Sequence, residues 1–383
     1  VSVTAASGFR ASGVVAGLKA SGNADVALVV NDGPSHAAAA VFTANRCKAH
    51  PVTWSQQVVA DGRVDAVLLN SGGANCYTGS QGFLTVHRSA EHAAQLTGTS
   101  AGDVVVCSTG LIGEQLDTDR LLAGVTAAAQ ALAADGGPAA ARAIMTTDTR
   151  PKEAVAGGDG WVVGGMAKGA GMLAPALATM LVVLTTDADV DAETCDRALR
   201  AATRTTFDRL DSDGCMSTND TVLLMASGAS GISPSYDDFA EAVRALCADL
   251  AQQLLSDAEG AKHDIAVEVV GAASEQDGVD VGRAIARSNL LKCAIYGEDP
   301  NWGRVLAAVG TTQAQFDPQQ VDVSFQGVKV CVAGEPGEPR DLVRFDGRDV
   351  SIRVDLHAGP ESVTIWTNDL TVDYVHENSA YST

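Results

Sequence analysis

The run Met180-Leu-Val-Val-Leu184 constrains this chain most: five successive apolar residues, rich in branched side chains, are long enough for a buried strand. What precedes the run has the opposite character. Lys168-Gly-Ala-Gly-Met-Leu-Ala-Pro-Ala-Leu-Ala178 is mostly Gly, Ala and Pro with one basic side chain, which is loop composition. Thr179 stands on the seam. Read locally, it is either a capping Thr at a loop-to-strand junction, which composition alone favours, or the nucleophile of a self-cleaving precursor. In the second reading, small Ala178 leaves the Ala178–Thr179 carbonyl open to the Thr179 hydroxyl, and the amine freed by the cut becomes the adjacent base.

A chain of 383 residues allows about two domains and a large core. Its 39 glycines, set among abundant Ala and Val, fit close-packed helices and strands of an α/β protein. The formal charge of -21 comes without any Lys/Arg cluster, which argues against a nucleic-acid or anionic-membrane partner. A small anionic substrate needs only one or two local cations and stays open. Eight cysteines are scattered without a C-x-x-C pair or a Cys/His cluster. Cys107 and Cys331 fall in apolar runs and read as small buried hydrophobes, so a reduced, cytoplasmic chain is expected. No leader-like opening and no apolar run of membrane-spanning length is present.

Along the chain, the sequence predicts strands at Val26–Val30, Ala38–Phe42, Val64–Asn70, Asp103–Cys107, Gly160–Met166 and Thr221–Ala226, and from Thr179 onward. Helices are predicted near 81–96, 117–135, 140–145, 191–204, 236–258, 280–297 and 304–309, and the stretch from 320 to 367 reads as β-rich. Nothing between 1 and 178 looks like a flexible linker, so two fragments cut at Thr179 would have to stay packed together.

Several polar stretches invite a functional reading. Ser71-Gly-Gly-Ala-Asn-Cys-Tyr-Thr-Gly79 is a glycine-rich loop before a helix, but it matches neither dinucleotide nor P-loop spacing and reads better as a structural turn. Thr146-Thr-Asp-Thr-Arg-Pro-Lys152 is either a capping cluster or a polar patch able to hold an amino acid. Asp211-Ser-Asp-Gly-Cys-Met-Ser-Thr-Asn-Asp220 lacks the EF-hand pattern and reads as a turn bringing polar groups to a site rim. Glu259, at a helix-to-strand corner, is by itself more readily a solvated acid than a pocket carboxylate. No G-x-S-x-G elbow, H-E-x-x-H motif or spaced Cys/His set appears, so neither a metal nor a cofactor is expected. The tail from Asp369 to Thr383 stays rich in aromatic and polar residues and looks docked.

Lys168-Gly-Ala-Gly-Met-Leu-Ala-Pro, followed by Ala178-Thr-Met-Leu181, resembles the self-processing signature of the ornithine acetyltransferase family, also called the glutamate N-acetyltransferase family. The resemblance runs the length of the chain. It takes in Asn70-Ser-Gly-Gly-Ala-Asn75, Ser108-Thr-Gly110, the 146–152 and 211–220 stretches, Glu259-Gly-Ala261, Ala286-Arg-Ser-Asn-Leu-Leu-Lys292, Gly297–Arg304 and the Asn378–Thr383 tail. Tyr77 and the Ala261-Lys262 step depart from the family pattern. The resemblance implies acetyl transfer from N-acetyl-L-ornithine to L-glutamate, in some members also from acetyl-CoA, in arginine biosynthesis. It implies autocatalytic cleavage at Ala178–Thr179 into an α chain (1–178) and a β chain (179–383), assembled as α2β2. The implied fold is mixed α/β, a layered sandwich of sheets flanked by helices and built as two intertwined units. Carried over by motif, Thr179 is the nucleophile, Thr109 and Gly110 form the oxyanion hole, and Thr146, Lys168, Thr179, Glu259, Asn378 and Thr383 line the substrate site. The motif does not fix which hydroxyl of the Thr146-Thr147 pair is used. A self-processing amidase or aminopeptidase, and a binding protein that is never cut, are the competing classes.

Overall fold

The computed structural model describes residues 2–172 and 180–380. Three sheets carry the fold. The first has the order β1 (Phe9–Val14), β2 (Val26–Asn31), β4 (Ala66–Asn70), β5 (Val104–Ser108), with only the β4–β5 pair parallel. The second runs β3 (Ala38–Phe42), β9 (Thr221–Ala226), β8 (Leu181–Thr186), β7 (Trp161–Lys168), β6 (Lys152–Gly158), with only β8–β9 parallel. The third runs β13 (Glu335–Pro336), β12 (Val328–Val332), β11 (Asp322–Phe325), β14 (Asp349–Asp355), β10 (Asp264–Ala272), β15 (Glu361–Asn368).

The ten α-helices among the described residues are α1 (His50–Val58), α2 (Gly79–Thr97), α3 (Thr118–Gln130), α4 (Gly137–Ala143), α5 (Ala192–Thr205), α6 (Tyr236–Ser256), α7 (Glu275–Ala286), α8 (Asn289–Tyr296), α9 (Trp302–Val309) and α10 (Val372–Ala380).

Alternation along the strands sets the layering, since successive side chains point to opposite faces. In β8, Leu181 and Val183 face the first sheet, where they join Ala27, Val29, Val67, Leu69 and Val105 in one core. Val182 and Leu184 face the other way, into a core with Leu199 of α5 and Leu246 and Leu250 of α6. The outer face of the first sheet packs Leu28 and Leu68 against Val86 of α2 and Leu121 and Val125 of α3. Helices, sheet, sheet and helices therefore stack in four layers, as the resemblance implied. The third sheet keeps its own core against α7, α8 and α9.

The chain weaves between layers. Residues before the 173–179 seam supply all of the first sheet and β3, β6 and β7 of the second; residues after it supply β8, β9 and the third sheet.

Two predicted helices are corrected by their caps. The 280–297 helix is two helices, because Ser288 adopts an extended conformation and its hydroxyl accepts the Leu291 N–H, capping α8 afresh. The 117–135 helix stops at Gln130, and the next helix begins at Gly137 with Pro138 in its first turn. α1, with Pro51 in its first turn, lies in a stretch for which the sequence predicts no element. The docked tail is α10, whose start is fixed by the Thr371 hydroxyl: it donates to the Gly260 carbonyl at 2.6 Å and accepts the Tyr374 N–H at 2.9 Å.

Candidate active site

β4 and β5 run parallel and side by side, so the loops leaving their C-terminal ends meet. Three backbone hydrogen bonds lock them: Thr109 N–H to the Asn70 carbonyl, Gly73 N–H to the Thr109 carbonyl, and Ala74 N–H to the Leu111 carbonyl, each at 3.0 Å. Gly110 sits at φ +134°, and a Cβ on it would lie 2.8 Å from the Gly73 backbone. The glycine-rich 71–79 loop is thus the surface against which Gly110 is shaped, in keeping with its reading as a turn.

Lys168 ends β7, opposite Leu181 of β8 in the register. Its ammonium is buried, 1% exposed, and donates to Thr109 Oγ1 at 3.2 Å. A hydroxyl that accepts from an ammonium turns its own proton away, so Thr109 is left as a donor toward the remaining space. Burial pushes the Lys168 pKa below its ordinary value, with Asp148 pulling the other way. Burial likewise opposes ionisation of Asp148, but the Lys168 and Lys152 cations and the Gly169 N–H, donated at 2.7 Å, hold its pKa below the usual carboxylate value.

Within 146–152, the structure separates the two readings residue by residue. Lys152 is fully buried between Asp148, at 2.5 Å, and Asp257, at 2.6 Å, while the Thr149 hydroxyl is also spent on Asp257. These are structural. Thr146 instead lines a cavity of about 910 Å³ with Gly110, Gly72, Lys19, Arg142 and Asp148. Burial lowers the Lys19 pKa to about 8, and its ammonium is held by the Ala24 and Met145 carbonyls.

Glu259 follows α6. Its N–H donates to the Ala170 carbonyl at 2.9 Å, its Oε2 accepts from Asn378 Nδ2 at 3.0 Å, and a Cβ on Gly171 would lie 2.7 Å from its carboxylate. It borders a second cavity of about 230 Å³ with Asp213, Arg287, Lys292 and Tyr374. Residues 168–172 therefore join two groups, Lys168 with Thr109 on one side and Glu259 with Asn378 on the other. Ala178, Thr179 and Thr383 lie outside the described residues. Met180 is described: it is fully buried, and its N–H donates to Asp220 Oδ1 at 3.0 Å. Asp220, Asp213 and Lys292 were not singled out as site residues from sequence, although each lies inside a stretch that carried the resemblance. No group of metal-ligating side chains occurs among the described residues.

Comparison with known proteins identifies the family. The ArgJ family model matches residues 10–383. The chain is 66% identical to the arginine biosynthesis bifunctional protein ArgJ of Streptomyces avermitilis and 63% identical to that of Thermobifida fusca, with complete coverage of both chains in each case. Among solved structures, the arginine biosynthesis bifunctional protein of Bacillus halodurans is 37% identical at a TM-score of 0.50, covering 52% of this chain and 98% of that one. The ornithine acetyltransferase of Mycobacterium tuberculosis, solved in complex with ornithine, is 53% identical at a TM-score of 0.45, covering 47% of this chain and 96% of that one. A match from residue 10 to the last residue, with full-length relatives above 60% identity, places the chain in the ArgJ family.

Proposed function

We propose that this chain cuts itself at Ala178–Thr179 and then uses Thr179 to carry an acetyl group from N-acetyl-L-ornithine to L-glutamate. The acetyltransferase activity in arginine biosynthesis follows from membership of the ArgJ family. The observation that carries the residue assignment is the buried Lys168–Thr109 contact beside the seam, which orients a hydroxyl donor next to the Gly110 N–H.

In the first step Thr179 Oγ bonds to the Ala178 carbonyl carbon. The C–N bond breaks, the hydroxyl proton passes to the departing nitrogen, and water hydrolyses the resulting ester. The free amine then takes the Thr179 hydroxyl proton while Oγ attacks the acetyl carbonyl. Thr109 Oγ–H and Gly110 N–H meet the developing oxyanion, donors typically worth ~3 kcal/mol each. Ornithine leaves, and the glutamate amine attacks the acetyl-enzyme. Lys168 is the counter-charge for the α-carboxylate common to both amino acids, Glu259 faces the ornithine ammonium, and Thr146, Asn378 and Thr383 complete the pocket.

The length of the Bacillus halodurans chain supports processing: it corresponds to 52% of this chain, close to the share taken by residues 179–383. The α2β2 assembly, acetyl-CoA as a further donor and a cytoplasmic location belong to the same reading. No helix among the described residues is long and apolar enough to cross a membrane. Intact mass and N-terminal sequencing of the purified protein test the proposal. Two fragments, one beginning Thr179-Met-Leu-Val, with acetyl exchange between ornithine and glutamate, are expected. A chain still uncut after prolonged incubation would overturn the nucleophile assignment, and hydrolysis outpacing transfer would make the protein an amidase.

A further inference from the structure

The larger cavity is lined by a cation that the proposed chemistry does not use. Lys19 lies in the connection between β1 and β2, and Asp25 builds that connection: its carboxylate accepts the Ala16 N–H at 2.6 Å, the Leu18 N–H at 2.6 Å and the Lys19 N–H at 3.0 Å. The same connection is pressed on the glycine-rich loop. A Cβ on Gly72 would lie 2.2 Å from Leu18 Cβ, and the Ser71 N–H donates to the Asp25 carbonyl at 3.0 Å. Lys19 Nζ then reaches the Met145 carbonyl at 2.6 Å, one residue before Thr146. The ammonium is thereby fixed in the cavity that Gly110 and Thr146 also line.

Its charge is not answered from within. The Ala24 and Met145 carbonyls take two of its three N–H groups, and neither is an anion. Burial weakens the cation most; Asp25 and Asp148 counter that, and Lys168 adds to it. Both acids are already engaged. Asp25 holds the backbone N–H groups above, and Asp148 accepts from Lys152 at 2.5 Å, the Gly169 N–H at 2.7 Å and the Thr146 N–H at 3.0 Å. The other charged side chains lining the cavity, Arg142 and Glu114, are exposed. A half-buried ammonium with a donor to spare, beside an open cavity, is suited to a carboxylate, because a charge-assisted bond strengthens where water is scarce.

The two substrates share an α-carboxylate and differ in charge at the far end, ammonium in N-acetyl-L-ornithine and carboxylate in L-glutamate. Placing the glutamate side chain at Glu259 would bring two carboxylates together, which disfavours that pose. We propose that Lys19 binds the side-chain carboxylate of L-glutamate in the larger cavity and so selects the acceptor. The inference rests on the proposed reading of Lys168 and Glu259, which gives the α-carboxylate and the ornithine ammonium their own partners.

The test uses the full chain as wild type, Lys19→Met and Lys19→Arg, with thermal melting as the check on folding. Met approximates the Lys stem and removes the charge; Arg keeps it. Two reactions are compared: acetyl transfer from N-acetylornithine to glutamate or glutamine, and acetyl exchange between N-acetylornithine and isotopically labelled ornithine, which needs no glutamate. Wild type should prefer glutamate to glutamine by about ten-fold or more in kcat/KM. Lys19→Met should raise KM for glutamate by about ten-fold or more, nearly abolish that preference, and leave ornithine exchange within about two-fold. Lys19→Arg should keep most of the preference. A merely structural role would lower exchange and transfer together. Equal losses in both reactions, an unchanged glutamate preference in Lys19→Met, or a Lys19→Met chain that does not fold would overturn the proposal. So would a wild type that accepts glutamine as readily as glutamate, a measurement that needs no variant. A wild type that transfers acetyl to neither amino acid would instead defeat the proposed function, a different outcome from a Lys19→Met variant that still selects glutamate.

Discussion

In the proposed mechanism a single hydroxyl, that of Thr109, accepts from Lys168 and donates to an oxyanion, and the 3.2 Å contact with a buried ammonium makes both compatible. Thr109→Ala should lower kcat about 100-fold, the cost of one oxyanion donor, with little change in KM, measured on protein whose cut has gone to completion. Thr109→Ser should retain most activity; a Thr109→Ala variant at wild-type rate would remove the residue from the chemistry. Glu259, in the same proposal, separates the two substrates instead. Asn378 Nδ2 can still be accepted by the amide oxygen of a Gln, so Glu259→Gln removes charge and keeps the contact. We expect kcat/KM for N-acetylornithine to fall roughly ten-fold or more, as for a lost charge-assisted bond, while the glutamate half-reaction is nearly unchanged. Equal losses for both would refute the pairing with the ornithine ammonium.

Elements meet the site through their ends, and two ends make distinct predictions. Gly260 sits at φ +62°, and a Cβ there would lie 2.2 Å from the Tyr374 backbone nitrogen, so Gly260→Ala must displace α10 and with it Asn378. Limited proteolysis should then clip the C-terminal region, and KM should rise more than kcat falls. At the head of the 211–220 loop, burial raises the Asp211 carboxyl from 3.8 to about 6, although Arg287 Nε donates to it at 2.7 Å. The folded protein therefore binds more protons here than the unfolded chain between about pH 4 and 6, and the associated stability is present below that window and lost as pH rises through it. Urea unfolding of wild type minus Asp211→Asn should decline by at most about 3 kcal/mol across the window; a flat difference would contradict the shift. Long apolar strands such as β2, β8 and β9 and the amphipathic α6 were legible because periodicity is a local signal. The break at Ser288 was not, since a capping Ser inside an otherwise helical run reads like any tolerated Ser until its hydroxyl is seen on Leu291 N–H. The Lys152–Asp257 and Asp220–Met180 contacts were illegible for another reason: they join residues 105 and 40 positions apart, and no spacing rule reaches that far.

For the whole molecule, the decisive fact is that the proposed cut falls, in sequence, between two adjacent strands of one sheet. β7 and β8 pair antiparallel from Val163↔Thr186 to Lys168↔Leu181, and the bond to be broken lies in the segment between these two adjacent strands. β3, from the N-terminal part, borders β9 from the C-terminal part along the same sheet. Side chains stitch the parts elsewhere: Thr185 Oγ1 donates to the Val3 carbonyl, Asn31 Nδ2 to the Ala226 carbonyl, Asn219 Nδ2 to the Ala74 and Ser108 carbonyls, and Lys152 pairs with Asp257. The sheet-to-sheet core mixes Val29 and Leu69 from one part with Val183 and Leu223 from the other. The core between the first and second sheets closes only when both parts are present, so each should be unstable alone. Cleavage is then expected to leave one particle: a single species by native mass spectrometry or gel filtration, two bands only in denaturant, and a single cooperative thermal transition. Dilution to nanomolar concentration should not separate the fragments, because an interface made of strand pairing and core burial dissociates only by unfolding. Release of a folded 1–178 fragment on dilution would contradict this account and would leave Lys168 unable to serve a nucleophile on the other fragment.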